Sequence, residues 1–292
     1  MMPTESRITS RPWTTVHAAA IAVLRTADAD AKAATARDVA ALWQNDALTL
    51  SAPDTHSYTP PDRPARPVRP ELLPPARMPK RRKAGSLETR TALIHAVAHI
   101  ELNAIDLAFD MVARFAPGMP RSFLDDWIRV GADEARHFTL LQNRLKDMGS
   151  FYGALPAHDG LWESALATMD DIAARLAVVP MVLEARGLDV TPAMIMRFEK
   201  TGDSASAKAL KTIYEEETSH VAAGSRWFHF IAGKRNADPQ KLFQTLVRQR
   251  FKGLLKPPFN TLAREEAGLP ADWYEPLAVT PVSPGKSLIS NP

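Results

Sequence analysis

Two copies of a Glu-x-x-His motif constrain the fold of this chain more than any other feature of its sequence. The first copy is Glu134 with His137, in "DEARH", and the second is Glu217 with His220, in "EEETSH". Side chains three residues apart meet on one face of a helix and can bind one ion together. The two motifs therefore predict two helices that each present a carboxylate and an imidazole to the same place.

A further glutamate precedes each motif at a matched distance. Glu101 stands 33 residues before Glu134. Glu184 likewise stands 33 residues before Glu217. The chain is therefore predicted to contain two copies of one helical hairpin, offset by 83 residues.

All four glutamates lie on helix faces that the sequence marks as core. Positions i−7, i−4, i−3 and i+4 share a face with residue i, and around each glutamate they are predominantly apolar. An unpaired buried carboxylate is costly, so four of them must share cations or protons. The stripe residues are Ile94, Val97, Ala98 and Ile105 for Glu101, Trp127, Val130, Gly131 and Phe138 for Glu134, Ala177, Pro180, Met181 and Leu188 for Glu184, and Leu210, Ile213, Tyr214 and Val221 for Glu217.

The composition limits which metal and which compartment are expected. The chain has no cysteine, which excludes disulfides and thiolate metal sites. Histidine and carboxylate ligands suit iron, manganese or zinc.

A net charge of +3 is too small to argue for nucleic acid. No apolar run approaches the ~20 residues of a membrane helix. The run at 16–24, "VHAAAIAVL", resembles a signal peptide faintly but continues into a helical pattern, so we expect a cytoplasmic protein without membrane segments.

The periodicity predicts an all-α chain in four parts. An N-terminal helical segment spans 1–49, a proline-rich basic linker or arm 50–85, a four-helix bundle 86–232, and a C-terminal helix and tail 233–292. Ser86, Ser122 and Thr191-Pro192 are expected to start helices. The expected helices are two short ones within 12–46 and further ones at 86–115, 122–148, 160–189, 192–201, 204–232 and 238–254.

The segment before the bundle is expected to be extended. Residues 50–80 contain nine prolines, which prevent regular helix and favour polyproline II. Such a segment is either a linker or an arm that wraps the domain. The basic run "KRRK" at 80–83 is more often a solvated segment than a contact for nucleic acid.

The four core glutamates and two Glu-x-x-His pairs resemble the ligand set of ferritin-like di-iron carboxylate proteins. The stretches "HAVAHIELNAIDLAFD", "DEARHF", "LEARGLD" and "EEETSHV" are more closely similar to a bacterial ferritin-like family known as a domain of unknown function. The resemblance covers about residues 86–232 and implies two iron ions, with manganese possible. The ligands that it implies are Glu101, Glu134, His137, Glu184, Glu217 and His220.

The resemblance also implies roles for neighbouring acidic residues. Glu134 and Glu217 would bridge the two ions. Asp133 and Glu216, each just before a motif glutamate, would orient the histidine of the opposite motif. Asp106 and Asp189, five residues after the first glutamate of each half, are weaker candidates for the same supporting role; substrate-binding residues are not identified by the sequence.

Three other residues near the expected ligands lead to further predictions. Tyr214 lies one turn before Glu217 and is either a catalytic radical or proton-relay residue or an ordinary core tyrosine. Gly131 holds the matching place in the first half, so a cavity is expected on one side of the metals. Pro180 is expected to bend its helix.

The remaining polar residues of these helices have simpler readings. His95 and His99 do not share the face of Glu101 and are expected to be structural. Glu215 should face solvent. The alternative for the whole cluster is a set of buried salt bridges with Arg136 and Arg186, which would leave the repeated histidine offset unexplained.

The predicted site favours an O2- or peroxide-activating oxidoreductase acting on an unidentified small molecule. The alternatives are a ferroxidase or iron-storage protein, a manganese catalase-like protein, a tRNA-modifying hydroxylase, and a non-catalytic, metal-stabilised interaction module. Nucleic acid is not favoured as a partner, and a homodimer is compatible with the sequence.

Overall fold

The protein is all-α, as its periodicity predicts. A computed structural model describes residues 13–50, 59–79 and 85–278, and in these ranges β-pairing is limited to isolated bridges. The basic run at 80–83 lies outside the described residues. The helices are α1 Val16–Arg25, α2 Ala29–Gln44, α3 Leu87–Phe115, α4 Arg121–Asp147, α5 Gly160–Leu166, α6 Ile172–Val178, a π-helical segment Val179–Glu184, α7 Ala185–Lys200, α8 Ser204–Lys234, α9 Pro239–Arg250, α10 Thr261–Glu266 and α11 Ala271–Tyr274.

Two helical hairpins form the centre of the molecule. The first pairs α3 with α4, and the second pairs α6, the π-helical segment and α7 with α8. Helix α4 packs on α8 and joins the two hairpins. Ser86 caps α3 in a capping box with Thr89, as expected. The expected cap at Ser122 is wrong, because α4 begins at Arg121 directly after Pro120.

The helix expected at 160–189 is broken into pieces. After α5 the chain turns, and Asp171 caps α6 by accepting a hydrogen bond from the backbone N–H of Ala173. Helix α6 then widens into the π-helical segment, which contains Pro180. A π-helical turn shifts the backbone hydrogen bonds by one residue and is often found at functional sites. It places Glu184 at the junction with α7.

The helix start expected at Pro192 is also wrong, because α7 runs through this proline. Proline has no N–H to donate to the carbonyl four residues earlier, which is that of Leu188. Asn260 replaces the missing donor, since its Nδ2 lies 3.2 Å from the Leu188 carbonyl oxygen. A residue from the C-terminal region therefore completes the hydrogen bonding of α7.

The described part of the proline-rich segment lies on the bundle. The Ala65 N–H donates to the carbonyl of Leu24 in α1 at 2.7 Å, and the indole N–H of Trp162 donates to the carbonyl of Asp62 at 3.0 Å. Helices α1 and α2 pack on α3 and α4, and α9 packs on α6 and α8. Both ends of the chain thus add layers to the central four helices.

Helix α3 is long and apolar enough to pass a length and composition test for a membrane span. Within its most apolar window, 78% of the residues are buried inside the protein. The central helix of a bundle meets the same test, so this helix is weak evidence for a membrane.

Candidate metal centre

The predicted ligands converge from four elements at the middle of the bundle. Helix α3 supplies Glu101, α4 supplies Glu134 with His137, and α8 supplies Glu217 with His220. One ligand atom from each of Glu101, Glu134 and His137 lies within 4.8 Å of the other two. The same holds for a second group that consists of Glu134, Glu217 and His220.

Glu134 connects the two groups. Its Oε2 lies 3.4 Å from Nδ1 of His137, and its Oε1 lies 3.0 Å from Nδ1 of His220. The two imidazole rings are 5.9 Å apart between centroids. One carboxylate placed between two imidazoles is the arrangement expected of a bridging ligand, a role that stays a prediction for Glu134 and Glu217.

Each histidine is held from behind by the acidic residue of the opposite motif. Nε2 of His137 lies 2.6 Å from Oε2 of Glu216, and Nε2 of His220 lies 3.4 Å from Oδ2 of Asp133. A carboxylate can only accept, so Nε2 carries the proton in both rings and Nδ1 faces the glutamates. Arg136 donates to both Asp133 and Glu216, at 2.6 and 2.9 Å. The outer contacts therefore form one network across α4 and α8.

Glu184, from the π-helical segment, belongs to neither group of three, and its role as a ligand stays a prediction. It borders the same cavity as Glu101, Glu134 and Glu217. Its Oε2 is buried and has no hydrogen-bond partner in the described part of the chain. A buried carboxylate oxygen without a partner is costly, and a cation between Glu184 and Glu217 would remove that cost.

The titration of the cluster reflects the crowding of its carboxyl groups. Burial and the charge of Glu134 raise the pKa of Glu101 well above its ordinary value. Burial raises the pKa of Glu184 as well, and the charge of Glu217 adds to this. Burial would also raise the pKa of Glu134, but hydrogen bonds from both histidines hold it well below the ordinary value. Crowding thus makes Glu101 and Glu184 harder to ionise than Glu134.

The pKa values of the two histidines are raised because carboxylates lie beside both rings. Burial alone would lower the pKa of His137, but the hydrogen bonds with Glu101 and Glu134 raise it to about 11. The pKa of His220 is also raised well above its ordinary value, by Asp133 and Glu134 against the effect of burial. Protons therefore occupy the positions in which metal ions would balance the carboxylates.

The donor set fits a hard or borderline metal ion. The cluster offers only carboxylate oxygen and imidazole nitrogen, which suit iron, manganese and zinc. Both imidazoles are oriented by an outer carboxylate, as is usual for metal ligands. The buried cluster of glutamates and histidines can hold a metal ion.

A cavity of about 150 Å³ lies directly against the four glutamates. It is bordered by α3, α7, α8 and the π-helical segment, and Tyr214 is part of its wall. The expectation that Gly131 opens a cavity is wrong, because a Cβ at Gly131 would lie 2.6 Å from the ring of Phe109. The aromatic ring fills that place, and the open space is on the side of Tyr214.

Tyr214 contacts the C-terminal region. Its hydroxyl oxygen accepts a hydrogen bond from Nδ2 of Asn260 at 3.0 Å. Asn260 is the residue that also replaces the missing donor of Pro192. A catalytic role for Tyr214 stays a prediction.

Asp106 and Asp189 lie elsewhere and bind the flanking segments. The Asp106 carboxylate pairs with the buried Nζ of Lys32 from α2 and lies 3.3 Å from Arg66 of the proline-rich segment. The Asp189 carboxylate accepts from Arg264 of α10 at 2.7 and 2.8 Å. Burial lowers the pKa of Lys32 against the attraction of Asp106. The sequence had not suggested Lys32, Arg264 or Asn260, since no local pattern distinguishes them from other surface-type residues.

The alternative based on salt bridges with Arg136 and Arg186 finds little support. Arg136 is bonded to the outer carboxylates described above, and Arg186 donates to the carbonyls of Lys256 and Pro258 and to Asp189. Within the described residues, neither arginine bonds to one of the four core glutamates. Among the described residues, the ion pairs of these glutamates are with the two histidines alone.

His95 and His99 are enclosed away from the cluster. His95 accepts a hydrogen bond from the N–H of Gly153 at 2.9 Å, and Nδ1 of His99 lies 2.8 Å from the hydroxyl of Tyr152. Burial lowers the pKa of each histidine to about 4. Both are neutral near pH 7 and tie α3 to the loop after α4.

The comparisons with known proteins place the whole described bundle in one family. A family model described as "Protein of unknown function (DUF455)" matches residues 25–275. A relative from Haemophilus influenzae, described as an "Uncharacterized protein", is 41% identical over 219 aligned residues, which cover 72% of this chain and 76% of the relative. No solved structure matches this chain.

Proposed function

Because this chain belongs to the DUF455 family, whose description names no activity, we propose its function from the cluster itself: a ferritin-like, non-haem metal oxidoreductase that uses O2 or peroxide. The crossed arrangement of the two motifs carries the proposal. Each imidazole faces Glu134 on one side and an orienting carboxylate of the other motif on its far side. A structural salt-bridge cluster does not need this arrangement, whereas a two-metal centre does.

The ligands of the proposed centre divide into two sets. Glu101 and His137 would hold one ion, Glu184 and His220 the other, and Glu134 would lie between them. Glu217, which lies with Glu134 and His220, would be the second ligand shared by the two ions. Iron is our first choice, with manganese second, because both accept carboxylate and imidazole ligands and both serve in four-helix centres of this kind.

A pair of such ions supplies activation of oxygen or peroxide next to an organic substrate. For a C–H bond, one O2 with two electrons and two protons from an external reductant yields one hydroxyl group and one water. With peroxide, the same product and one water form without a reductant. The residues of the chain would bind the ions, orient the imidazoles through Asp133 and Glu216, and exclude bulk water from the cluster.

The cavity favours oxidation of an organic substrate over iron storage. Storage or simple ferroxidase chemistry requires a path for ions, whereas the space against the four glutamates is bounded mainly by apolar side chains. An organic molecule can therefore lie beside the ligands. Ferroxidase and catalase-like activities remain as outcomes that the assays below separate.

Metal stoichiometry is the direct test of the proposal. Anaerobic loading with Fe(II) or Mn(II), followed by removal of free metal and elemental analysis, should give about two ions per chain. Glu134→Ala and His220→Ala should each lose most of the bound metal. Glu215→Ala is the matched control, because Glu215 belongs to the same acidic run and its side chain is 62% exposed. Equal metal content in all four proteins would refute the proposed centre.

Oxygen consumption then separates the activities. The iron-loaded protein should consume O2 with an added reductant and develop a visible charge-transfer absorption. Rapid peroxide disproportionation by the manganese form alone would favour the catalase-like alternative. Elution as a very large particle, together with iron uptake beyond two ions per chain, would favour storage.

A further inference from the structure

We propose that the cavity against the four glutamates binds the apolar part of the substrate, an aliphatic or aromatic group of about six carbon atoms. This inference rests on the proposed function for its link to catalysis, but the binding site itself can be tested without metal.

The volume of the cavity limits the size of the occupant. Its volume of about 150 Å³ equals that of apolar cavities in other proteins that stay dry and bind benzene or xenon. A six-carbon group fits such a space, whereas a nucleobase with its sugar or a long acyl chain does not fit inside it. Larger substrates would place only one apolar group there.

Away from the four glutamates the wall of the cavity is mainly apolar, with Arg186, Thr191 and Tyr214 as its other polar members. Helices α3 and α8 and the π-helical segment contribute branched side chains to it. A small apolar group gains binding energy from such a wall, in proportion to the area removed from water. The main contributors are Val97, Leu107, Val179, Leu183, Leu210 and Ile213.

Two polar side chains of the cavity wall are held by other parts of the protein. The Tyr214 hydroxyl accepts from Asn260, and NH1 of Arg186 donates to the carbonyls of Lys256 and Pro258. The other polar members of the wall are Thr191 and the four glutamates, which the proposed metal ions would engage. A neutral, weakly polar group therefore matches this space better than a charged one.

The cavity has an entrance at the side of α3. Ile100 belongs to its wall and is 45% exposed. Helices α3 and α7 both border the cavity. A ligand can thus approach the cavity at the exposed side of α3.

Benzene is the probe for the binding site, since it matches the volume and has no hydrogen-bonding group. We expect it to raise the melting temperature of the full-length protein and to bind measurably by calorimetry. Ala104→Phe and Met194→Phe each add a ring inside the cavity and should weaken benzene binding by about tenfold or more. Leu140→Phe is the control, because Leu140 is an exposed residue of α4 outside the cavity wall.

Each outcome of the benzene experiment either supports the inference or overturns it. Absence of benzene binding in the wild-type protein would overturn the inference, as would wild-type binding by the filled variants that fold. Two filled variants are used so that one misfolded protein does not decide the outcome. Loss of binding in the filled variants, with retention in Leu140→Phe, would support the cavity as the site.

A second measurement links the cavity to the metals and separates the two proposals. Benzene should perturb the visible spectrum of the iron-loaded wild-type protein, and this change should be lost in Ala104→Phe. Metal binding without benzene binding would overturn the substrate site and leave the proposed function intact. Benzene binding by Glu134→Ala, despite its loss of metal, would support a binding site that does not depend on the centre.

Discussion

Glu216 lies 2.6 Å from Nε2 of His137, although it belongs to the other motif and to another helix. Asp133 has the reciprocal relationship with His220 at 3.4 Å. Each helix thus contributes one glutamate–histidine pair and one acidic residue that contacts the histidine of the opposite motif. The two halves of the centre depend on each other.

Replacement of Glu216 should therefore weaken metal binding, although Glu216 is not one of the proposed metal ligands. In Glu216→Gln the acceptor on His137 loses its charge, so we expect metal affinity to fall by about 10- to 100-fold. A competitive chelator titration measures this change. Glu215→Gln is the control from the neighbouring, exposed position. Equal affinities of the two variants would show that Glu216 does not position the histidine.

Metal binding should release protons and strengthen as pH rises. The pKa of His137 is about 11 without metal, so a metal ion must displace its proton at pH 7. Burial and the charge of Glu134 also raise the pKa of Glu101, so protons compete with metal at this carboxyl group as well. Affinity should thus increase across about pH 6 to 9. Calorimetry in buffers of different ionisation enthalpy counts the protons, and a pH-independent affinity would contradict this prediction.

Gly224 should prove necessary for the position of Glu184. A Cβ at Gly224 would lie 2.5 Å from Cβ of Pro180, so Gly224→Ala must displace the π-helical segment that carries Glu184. We expect a lower metal content per chain and a less stable protein.

Gly233→Ala is the matched control, because Gly233 is in the same helix and a Cβ there meets nothing within 4 Å. It should be neutral or stabilise the protein by about 0.5–1 kcal/mol. Elemental analysis and thermal melts measure both effects. Full metal content in Gly224→Ala would show that the segment tolerates the shift.

Asp106 should contribute to stability rather than to metal binding. Asp106→Asn leaves the fully buried Lys32 without a charged partner, at a cost of about 3–5 kcal/mol. The double variant Lys32→Met with Asp106→Asn should recover most of that loss. Urea unfolding measures the free energies, and metal content should remain unchanged in whichever variants fold. A double variant no more stable than Asp106→Asn would contradict this account.

The sequence was informative where a contact follows from helical periodicity. The apolar stripes predicted that Glu134 and Glu217 point inward, and the histidine offsets predicted that each lies near the ring of its own motif. The closer contact of Glu134 with His220 does not follow from these offsets. The spacing of 33 residues predicted hairpins that bring the pairs together. All of these are relationships within one helix or between neighbours in a hairpin.

The sequence failed where the partner is remote. Pro192 resembled a helix start, because nothing nearby indicated that Asn260 would satisfy the Leu188 carbonyl. Gly131 suggested open space, because its position does not reveal the ring of Phe109. The π-helical segment was read only as a bend at Pro180, since the wider turn depends on packing against Gly224.

The ion pairs of Asp106 and Asp189 indicate which segments a truncated protein has to keep. Lys32 lies 74 residues before Asp106, and Arg264 lies 75 residues after Asp189. A fragment cut at the expected boundaries of 86 and 232 would retain both anions and lose both of these cations. We therefore expect that the four central helices do not fold stably by themselves, and that a truncation that preserves the centre has to keep α2 and α10.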